Sequence, residues 1–236
     1  MPSVLKSILA LPILLLLVAG SPSNCRERCG ISKAVIDTSG TTLPPPSYAP
    51  SFIGLGVGTQ NYTCGSTGTY TNVGALAQLF DASCLVGHSS FTELAATAFE
   101  AWNSSESADL SGCSDRVISQ ADVIKNVITM PVTLGYHYFV TNPKTGSLSP
   151  EWDFTDGAFA GDAKAYVVAS KIDDDPAPTG VADIDWLYLT NPTGTLAQEI
   201  YRVDTKGGQP PASCIPGSAE ITVKYTSMYW LMGGSF

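Results

Sequence analysis

The chain has 236 residues, with 12 basic and 21 acidic side chains and a formal net charge of -9. An acidic chain repels nucleic acid and anionic lipid surfaces, so we expect neither nucleic acid nor a membrane among its partners. Charged residues make up 14%, and there are 22 glycines and 16 prolines. This composition is typical of secreted β proteins rather than of helical cytosolic enzymes.

The first twenty residues have the pattern of a signal peptide. Lys6 precedes an apolar run from Ile8 to Val18, and the small residues Ala19 and Gly20 follow it. The run is shorter than the roughly 20 residues that a membrane span needs. We therefore expect residues 1–20 to be removed and the mature protein to be secreted and extracellular.

The remainder is predicted to be a strap followed by one domain. Residues 21–50 form the strap, an extended proline-rich segment, because Pro44, Pro45 and Pro46 favour polyproline geometry. Residues 51–236 form a single β-rich domain, with a helical insertion at about residues 73–126.

Six cysteines follow the leader, and this even number predicts three disulfides in an oxidising compartment. They are Cys25, Cys29, Cys64, Cys84, Cys113 and Cys214. Their spacing does not select one pairing scheme. Structural zinc needs closely spaced pairs of ligands, and only Cys25 and Cys29 are close, so no metal site is expected.

Two sequons, at Asn61 and Asn103, are predicted N-glycosylation sites. Asn103 is the better acceptor, because Asn61 falls in a predicted strand beside Cys64, where a glycan would be hindered.

The first predicted strand runs from Phe52 to Cys64 and opens with Gly54, Gly56 and Gly58. This spacing lacks the third glycine of a dinucleotide fingerprint, and no βαβ pattern follows it, so phosphate binding is not expected. Three short helices are predicted next, from apolar positions at helical spacing. They cover Val73–Val86, Phe91–Trp102 and Asp115–Asn126.

Sustained β structure is predicted from residue 132 onward. Ile221, Val223 and Tyr225 alternate with Thr222 and Lys224, the period-two signature of one buried face. Asn191-Pro192-Thr193-Gly194 is predicted to be a hairpin turn. The predicted strands are Val132–Val140, Ala165–Ile172, Ile184–Leu189, Leu196–Val203 and Ile221–Leu231. The sequence thus predicts a mainly β protein, an antiparallel β-sandwich or barrel with short covering helices.

Catalytic chemistry finds little support in the sequence. The chain has two histidines, His88 and His137, so a three-histidine zinc site is excluded. We expect the His137 ring, in a predicted strand, to hydrogen-bond to the main chain or to a carboxylate. The stretch Gly87 to Phe91 lacks the second glycine of a nucleophile elbow. We name no catalytic residue, expect no cofactor and favour a non-enzymatic protein.

Five side chains are candidates for ligand binding: Tyr136, His137, Trp152, Trp186 and Arg202. Trp152 and Trp186 each lie beside acidic residues, and aromatic rings with nearby carboxylates suit sugar binding or glycoside hydrolysis. Arg202 falls within an apolar strand, where we expect it to have a carboxylate partner. Tyr136 and His137 could line a small-ligand cavity together with Arg202.

Six motifs along the chain carry a family resemblance. They are Gly58-Thr-Gln-Asn-Tyr-Thr-Cys64, Ala75-x-x-x-Leu79-Phe80-Asp81, Gly135-Tyr-His-Tyr-Phe139, Ser149-Pro-Glu-Trp-Asp-Phe154, Asp185-Trp-Leu187 and Tyr201-Arg-Val-Asp-Thr-Lys-Gly-Gly-Gln-Pro-Pro-Ala-Ser-Cys214. Their order resembles the secreted fungal proteins of an uncharacterised domain family, some of which carry a malate-dehydrogenase-like label. The resemblance implies a secreted β-rich domain without an established activity. A dehydrogenase is not supported, because the chain lacks a nucleotide fingerprint.

Three functions are compatible with these observations. The leading hypothesis is a non-enzymatic binding or structural module at the cell wall or host interface. The alternatives are a carbohydrate-active enzyme or lectin-like glycan binder, and a small-ligand pocket protein linked to secondary metabolism. The corresponding partners are a cell-wall glycan, a host protein or a small ligand.

Overall fold

The computed structural model describes residues 29–105, 119–129 and 131–235, and within them the chain forms eight β-strands and two α-helices. The strands are β1 (Pro50–Cys64), β2 (Tyr70–Asp81), β3 (Thr133–Thr141), β4 (Leu148–Asp153), β5 (Tyr166–Asp175), β6 (Trp186–Gly194), β7 (Glu199–Gly207) and β8 (Ile221–Met232). The helices are α1 (Leu94–Ser104) and α2 (Gln120–Ile124), and a 3-10 turn covers Ser83–Leu85. The predicted mainly β class is confirmed. The predicted leader lies outside the described residues.

The strands form a closed up-and-down barrel. Each strand pairs antiparallel with the next one along the chain, and β8 pairs back onto β1. The closing register runs from Pro50 opposite Met232 to Tyr62 opposite Ile221. Of the two predicted architectures the barrel is confirmed and the sandwich is wrong.

The outer face of β1, β7 and β8 is covered rather than solvated. Ile53, Leu55 and Val57 alternate with inward-facing glycines along β1, yet all three are fully buried. Helices α1 and α2 and the segment at residues 29–49 pack against this face. The molecule therefore has one hydrophobic core inside the barrel and a second between the barrel and its covering segments.

Aromatic rings close one end of the barrel. Phe52, near the start of β1, meets Phe154 and Phe159 edge-on, with ring centroids 5.3 and 5.5 Å apart. The connections at residues 65–69, 142–147, 176–185 and 208–220 all lie at the other end, because alternate connections of an up-and-down barrel share an end. We call this second end, which is open, the mouth.

Two disulfides brace the described structure. Cys29–Cys84 ties the start of the covering segment to the 3-10 turn after β2. Cys64–Cys214 ties the end of β1 to the 208–220 connection at the mouth. Such bonds indicate an oxidising, extracellular-type compartment. The third predicted bridge would need Cys25 and Cys113, which lie outside the described residues.

Hydrogen bonds also hold the covering segment against the barrel. The Tyr201 hydroxyl donates to the Pro44 carbonyl oxygen at 3.0 Å. The Ser47 amide donates to a Glu199 carboxylate oxygen at 2.9 Å. These bonds and the disulfide of Cys29 fix both ends of the segment.

Four local predictions were wrong, beginning with the helix at Val73–Val86. Residues 70–81 form β2, where Leu79 faces inward and Phe80 outward and both are fully buried. Apolar and polar residues therefore do not alternate here as they do in a strand with one face in water. Among the described residues of the predicted insertion, α-helix begins with α1, after the 3-10 turn at Ser83–Leu85, and α2 is shorter than predicted. The turn predicted at residues 191–194 belongs to β6, and β4 was missed. No helix among the described residues is long and apolar enough to cross a membrane.

Candidate functional site

The open end of the barrel leads into a cavity of about 560 Å³. Its wall combines aromatic, aliphatic and polar side chains from all eight strands. The residues that line this barrel cavity include Gln60, Asn72, His137, Phe139, Trp152, Ser170, Lys171, Asp174, Asp185, Leu187, Leu189, Arg202 and Tyr229.

Three stacked and crossed rings form the aromatic floor of the cavity, which we define as His137, Trp152 and Tyr229. His137 and Trp152 lie opposite each other in the β3–β4 register, and their rings stack with centroids 4.5 Å and planes 18° apart. The Tyr229 ring meets Trp152 edge-on at 5.5 Å. Each of the three is at most 2% exposed, so the floor is a rigid part of the core.

Gly56 makes room for the floor. A Cβ atom at this inward-facing position would lie 2.5 Å from the Tyr229 ring. We expect Gly56→Ala to lower the free energy of unfolding by about 2 kcal/mol, because overpacking in a rigid core forces side chains off their rotamers. Denaturant unfolding measures the loss. Gly30→Ala is the control, since nothing lies within 4 Å of its Cβ position, and equal stability of the two variants would contradict this placement of Tyr229.

His137 is neutral inside the barrel. Its Nδ1 donates to the Glu151 carbonyl oxygen at 2.8 Å, so the predicted hydrogen bond to the main chain is confirmed. Burial lowers the pKa of His137 to about 4, and the charge of Arg202 lowers it further. Because Nδ1 carries the proton, Nε2 is left as a hydrogen-bond acceptor.

Arg202 brings a positive charge to the level of the floor. It lies opposite Tyr229 in the β7–β8 register and opposite Leu187 in the β6–β7 register. Its Nε and Nη2 donate to the Asp185 carbonyl oxygen at 3.1 and 2.8 Å. The predicted carboxylate partner was wrong: no ion pair among the described residues includes Arg202. A backbone oxygen orients the guanidinium and leaves its charge unneutralised.

Lys171 differs from Arg202 in this respect. Its Nζ forms an ion pair with Asp174 at 3.0 Å, and both side chains are about half exposed. The two charges offset each other at the rim of the cavity, and such exposed pairs contribute little to stability.

Two buried polar atoms of cavity-lining residues have no hydrogen-bond partner among the described residues. They are Nε2 of Gln60 and Nε1 of Trp152. The Gln60 oxygen accepts a hydrogen bond from Asn72 at 3.0 Å, which holds this amide in place. A buried donor left unpaired costs free energy.

The structure separates the five candidate residues. His137, Trp152 and Arg202 line the same cavity. Tyr136 points to the outer face of β3 and is 39% exposed, and Trp186 is buried in the outer core, 5% exposed. Neither belongs to the cavity lining.

The acids that flank Trp152 in sequence also lie on the other side of the sheet. Glu151 and Asp153 line a shallow groove on the outer surface, because neighbouring residues of a strand point to opposite faces. Partial burial, followed by the charge of Asp153, raises the pKa of Glu151. The sheet keeps both carboxylates away from the aromatic floor.

The remaining predicted sites are placed but not tested. Asn61 lies in β1 with a half-buried side chain, and Asn103 is exposed in α1, so glycosylation at both stays a prediction. Among the described residues, no three His, Cys, Asp or Glu side chains cluster so as to hold a metal ion.

Sequence reasoning missed Gln60, Leu189 and Tyr229 as cavity residues. Period-two alternation carried the signal for one of them, since Gln60 continues the inward positions of Gly54, Gly56 and Gly58.

Fold and cavity together define a disulfide-bonded β-barrel with an internal, mixed polar and aromatic site. The chain belongs to the family described as Protein of unknown function (DUF3455), which matches residues 44–233. The predicted membership in an uncharacterised domain family is confirmed, while fungal origin stays a prediction and nothing found bears on the malate-dehydrogenase-like label of some members. No curated protein and no solved structure matched the chain.

Proposed function

We propose that this protein is a secreted, non-enzymatic carrier or receptor that binds one small molecule inside its barrel. The observation that carries the proposal is the barrel cavity with its rigid aromatic floor and unneutralised Arg202. Small-ligand sites are concave, largely apolar and equipped with a few fixed polar groups. The cavity has this composition.

The size of the cavity supports a single small ligand. Its volume of about 560 Å³ falls within the roughly 300–1,000 Å³ of small-molecule sites. Barrels of about eight strands have interiors just wide enough for packed side chains or one small ligand. Here the aromatic residues near Phe154 fill one end, which leaves the mouth end for the ligand.

The glycan-binding alternative is supported less well. A sugar-binding tryptophan needs a free ring face, but His137 stacks on one face of Trp152 and the Tyr229 ring crosses nearby. Trp186 is buried beneath the covering segment. Of the acids that motivated a glycosidase, Glu151, Asp153 and Asp156 line the outer groove, and Asp185 alone lines the cavity.

Titration with N-phenyl-1-naphthylamine, a neutral fluorescent probe, tests the proposal. We expect saturable binding of one probe molecule per chain and quenching of tryptophan fluorescence, because Trp152 lies in the cavity wall. Leu189→Trp fills the cavity and should abolish binding. Leu76→Trp is the matched control, since Leu76 is 53% exposed on the outer face, whereas Leu189 is 1% exposed.

Ser170→Phe is a second filled variant, in case Leu189→Trp does not fold; Ser170 lines the cavity and is only partly buried. Circular dichroism and thermal unfolding establish which variants are folded. Absence of saturable binding by the wild type, or equal binding by a folded filled variant, would refute the proposal. Native mass spectrometry of protein secreted by its own source then identifies the natural ligand by its mass.

A further inference from the structure

We infer that the natural ligand is an aromatic or conjugated carboxylic acid, with its carboxylate on Arg202 and its planar part between the side chains of Phe139 and Leu187. This inference rests on the proposed function and names the class of ligand.

The first step is the state of the guanidinium. A guanidinium has five N–H donors, and the described contacts of Arg202 use two, both on the Asp185 carbonyl oxygen. No carboxylate of the described residues lies within 4.0 Å of its nitrogens. A half-buried arginine that is oriented but unpaired is a ready partner for a carboxylate, which arginine binds through two parallel hydrogen bonds.

The second step is the position of that charge. Arg202 lies directly opposite Tyr229 in the register, and paired residues of neighbouring strands are about 5 Å apart. Both residues line the same cavity, and the guanidinium donates to Asp185 in the connection at the mouth. A carboxylate bound there shares the cavity with the Phe139 and Leu187 side chains, which suit a planar ring system attached to, or conjugated with, the acid group.

The third step is the surrounding charge. Lys171 and Asp174 offset each other at the rim. His137 is uncharged at neutral pH, because burial holds its pKa at about 4. Asp185 also lines the cavity, but its side chain makes no ion pair with Arg202 and is partly exposed to water. The charge-assisted hydrogen bonds between a ligand carboxylate and Arg202 favour binding by more than the repulsion from the solvated Asp185 carboxylate opposes it.

The planar part of the ligand has matching walls. Phe139 continues the inward face of β3 beyond His137, and the two rings lie 5.9 Å apart. Leu187 and Leu189 line the opposite side. A ring system between these walls gains apolar burial and edge contacts of the kind that aromatic pairs make.

Competition with the bound neutral probe tests the inference. 2-Naphthoate and 2-naphthamide have nearly the same shape, and only the first is an anion. At pH 7.5 we expect naphthoate to bind at least about tenfold more tightly, which corresponds to about 1.4 kcal/mol. Raising the salt concentration should weaken the binding of naphthoate but not that of naphthamide.

Arg202→Met keeps the length of the side chain and removes the charge. It should weaken naphthoate binding about ten- to a hundredfold and weaken the binding of the neutral naphthamide and probe far less. Lys164→Met is the matched control, because Lys164 is exposed and does not line the cavity, and it should alter neither ligand by more than about twofold.

Equal affinity for the acid and the amide in the wild type would overturn the inference, as would an equal effect of Arg202→Met on both ligands. In either case the probe would still bind, so the proposed function would stand. If the probe itself does not bind, the proposed function fails.

Discussion

Loss of the disulfide at the mouth is expected to have the largest effect on stability. Replacing both Cys64 and Cys214 by serine should lower the free energy of unfolding by about 4 kcal/mol. The bond joins residues 150 positions apart, and a cross-link of that span removes several kcal/mol of loop-closure entropy from the unfolded chain. Denaturant unfolding under non-reducing conditions measures the loss.

The second disulfide provides the matched control. Cys29 and Cys84 are 55 positions apart, so loop entropy predicts that their double serine variant loses about 1 kcal/mol less. Only the Cys64–Cys214 bond lies at the mouth, and its loss should also speed release of the bound probe by loosening the 208–220 connection. If the double serine variant of Cys64 and Cys214 has a free energy of unfolding within about 1 kcal/mol of the wild type, this expectation is contradicted.

The second large effect concerns two titrating groups with opposite pH dependence. His137 has a folded pKa of about 4, below its ordinary 6.5. Between these values the unfolded chain binds a proton that the folded protein does not, so acidification from pH 6.5 to 4.5 should destabilise by about 2 kcal/mol.

Protonation of Asp204 on acidification changes stability in the opposite direction. Burial, with the nearby Asp37, raises the pKa of Asp204 to about 6, while Lys206 opposes the shift. The folded protein binds this proton first, so acidification from pH 6.5 to 4.5 stabilises by about 2 kcal/mol. In the wild type the two contributions should nearly cancel, and the stability should change little over this window.

Single variants separate the two groups. Asp204→Asn should be about 2 kcal/mol more stable at pH 7, because the buried charge is gone, and should lose about 2 kcal/mol by pH 4.5. Asn is suited to this position, since Asp204 has a φ of 50°. His137→Phe should instead gain stability on acidification. Denaturant unfolding at both pH values measures these changes.

An exposed substitution provides the control for this pair. Asp162→Asn removes an exposed carboxylate and should leave stability within about 0.5 kcal/mol. If the free energy of unfolding changes with pH in the same way in the wild type, Asp204→Asn and His137→Phe, then neither group titrates as the structure requires.

Much of the fold follows from strand periodicity. Ile221, Val223 and Tyr225 were predicted to share one buried face of β8, and at the start of this strand Thr222 is indeed exposed between the half-buried Ile221 and Val223. The same argument failed at β2, because Leu79 and Phe80 are both buried on opposite faces of a strand that is covered on both sides. Periodicity marks a strand only where one of its faces meets water.

The candidate site was predicted in part. His137, Trp152 and Arg202 were named separately, but only the closed register brings them together. Alternation argued against grouping Tyr136 with His137, since neighbours along a strand face opposite ways. The backbone partner of Arg202 could not be predicted, because a carbonyl oxygen leaves no trace in the residue types.

The seam between β1 and β8 has a consequence for how the barrel assembles. The two strands pair along nearly their whole length, although almost the entire barrel sequence separates them. Contacts of such large sequence separation form slowly, since loop entropy is lost before they contribute. During synthesis β1 has no closing partner until β8 has emerged, so its glycine-rich inner face stays open until then. Closure, and with it the ligand cavity, must be a late event in the life of each newly made chain.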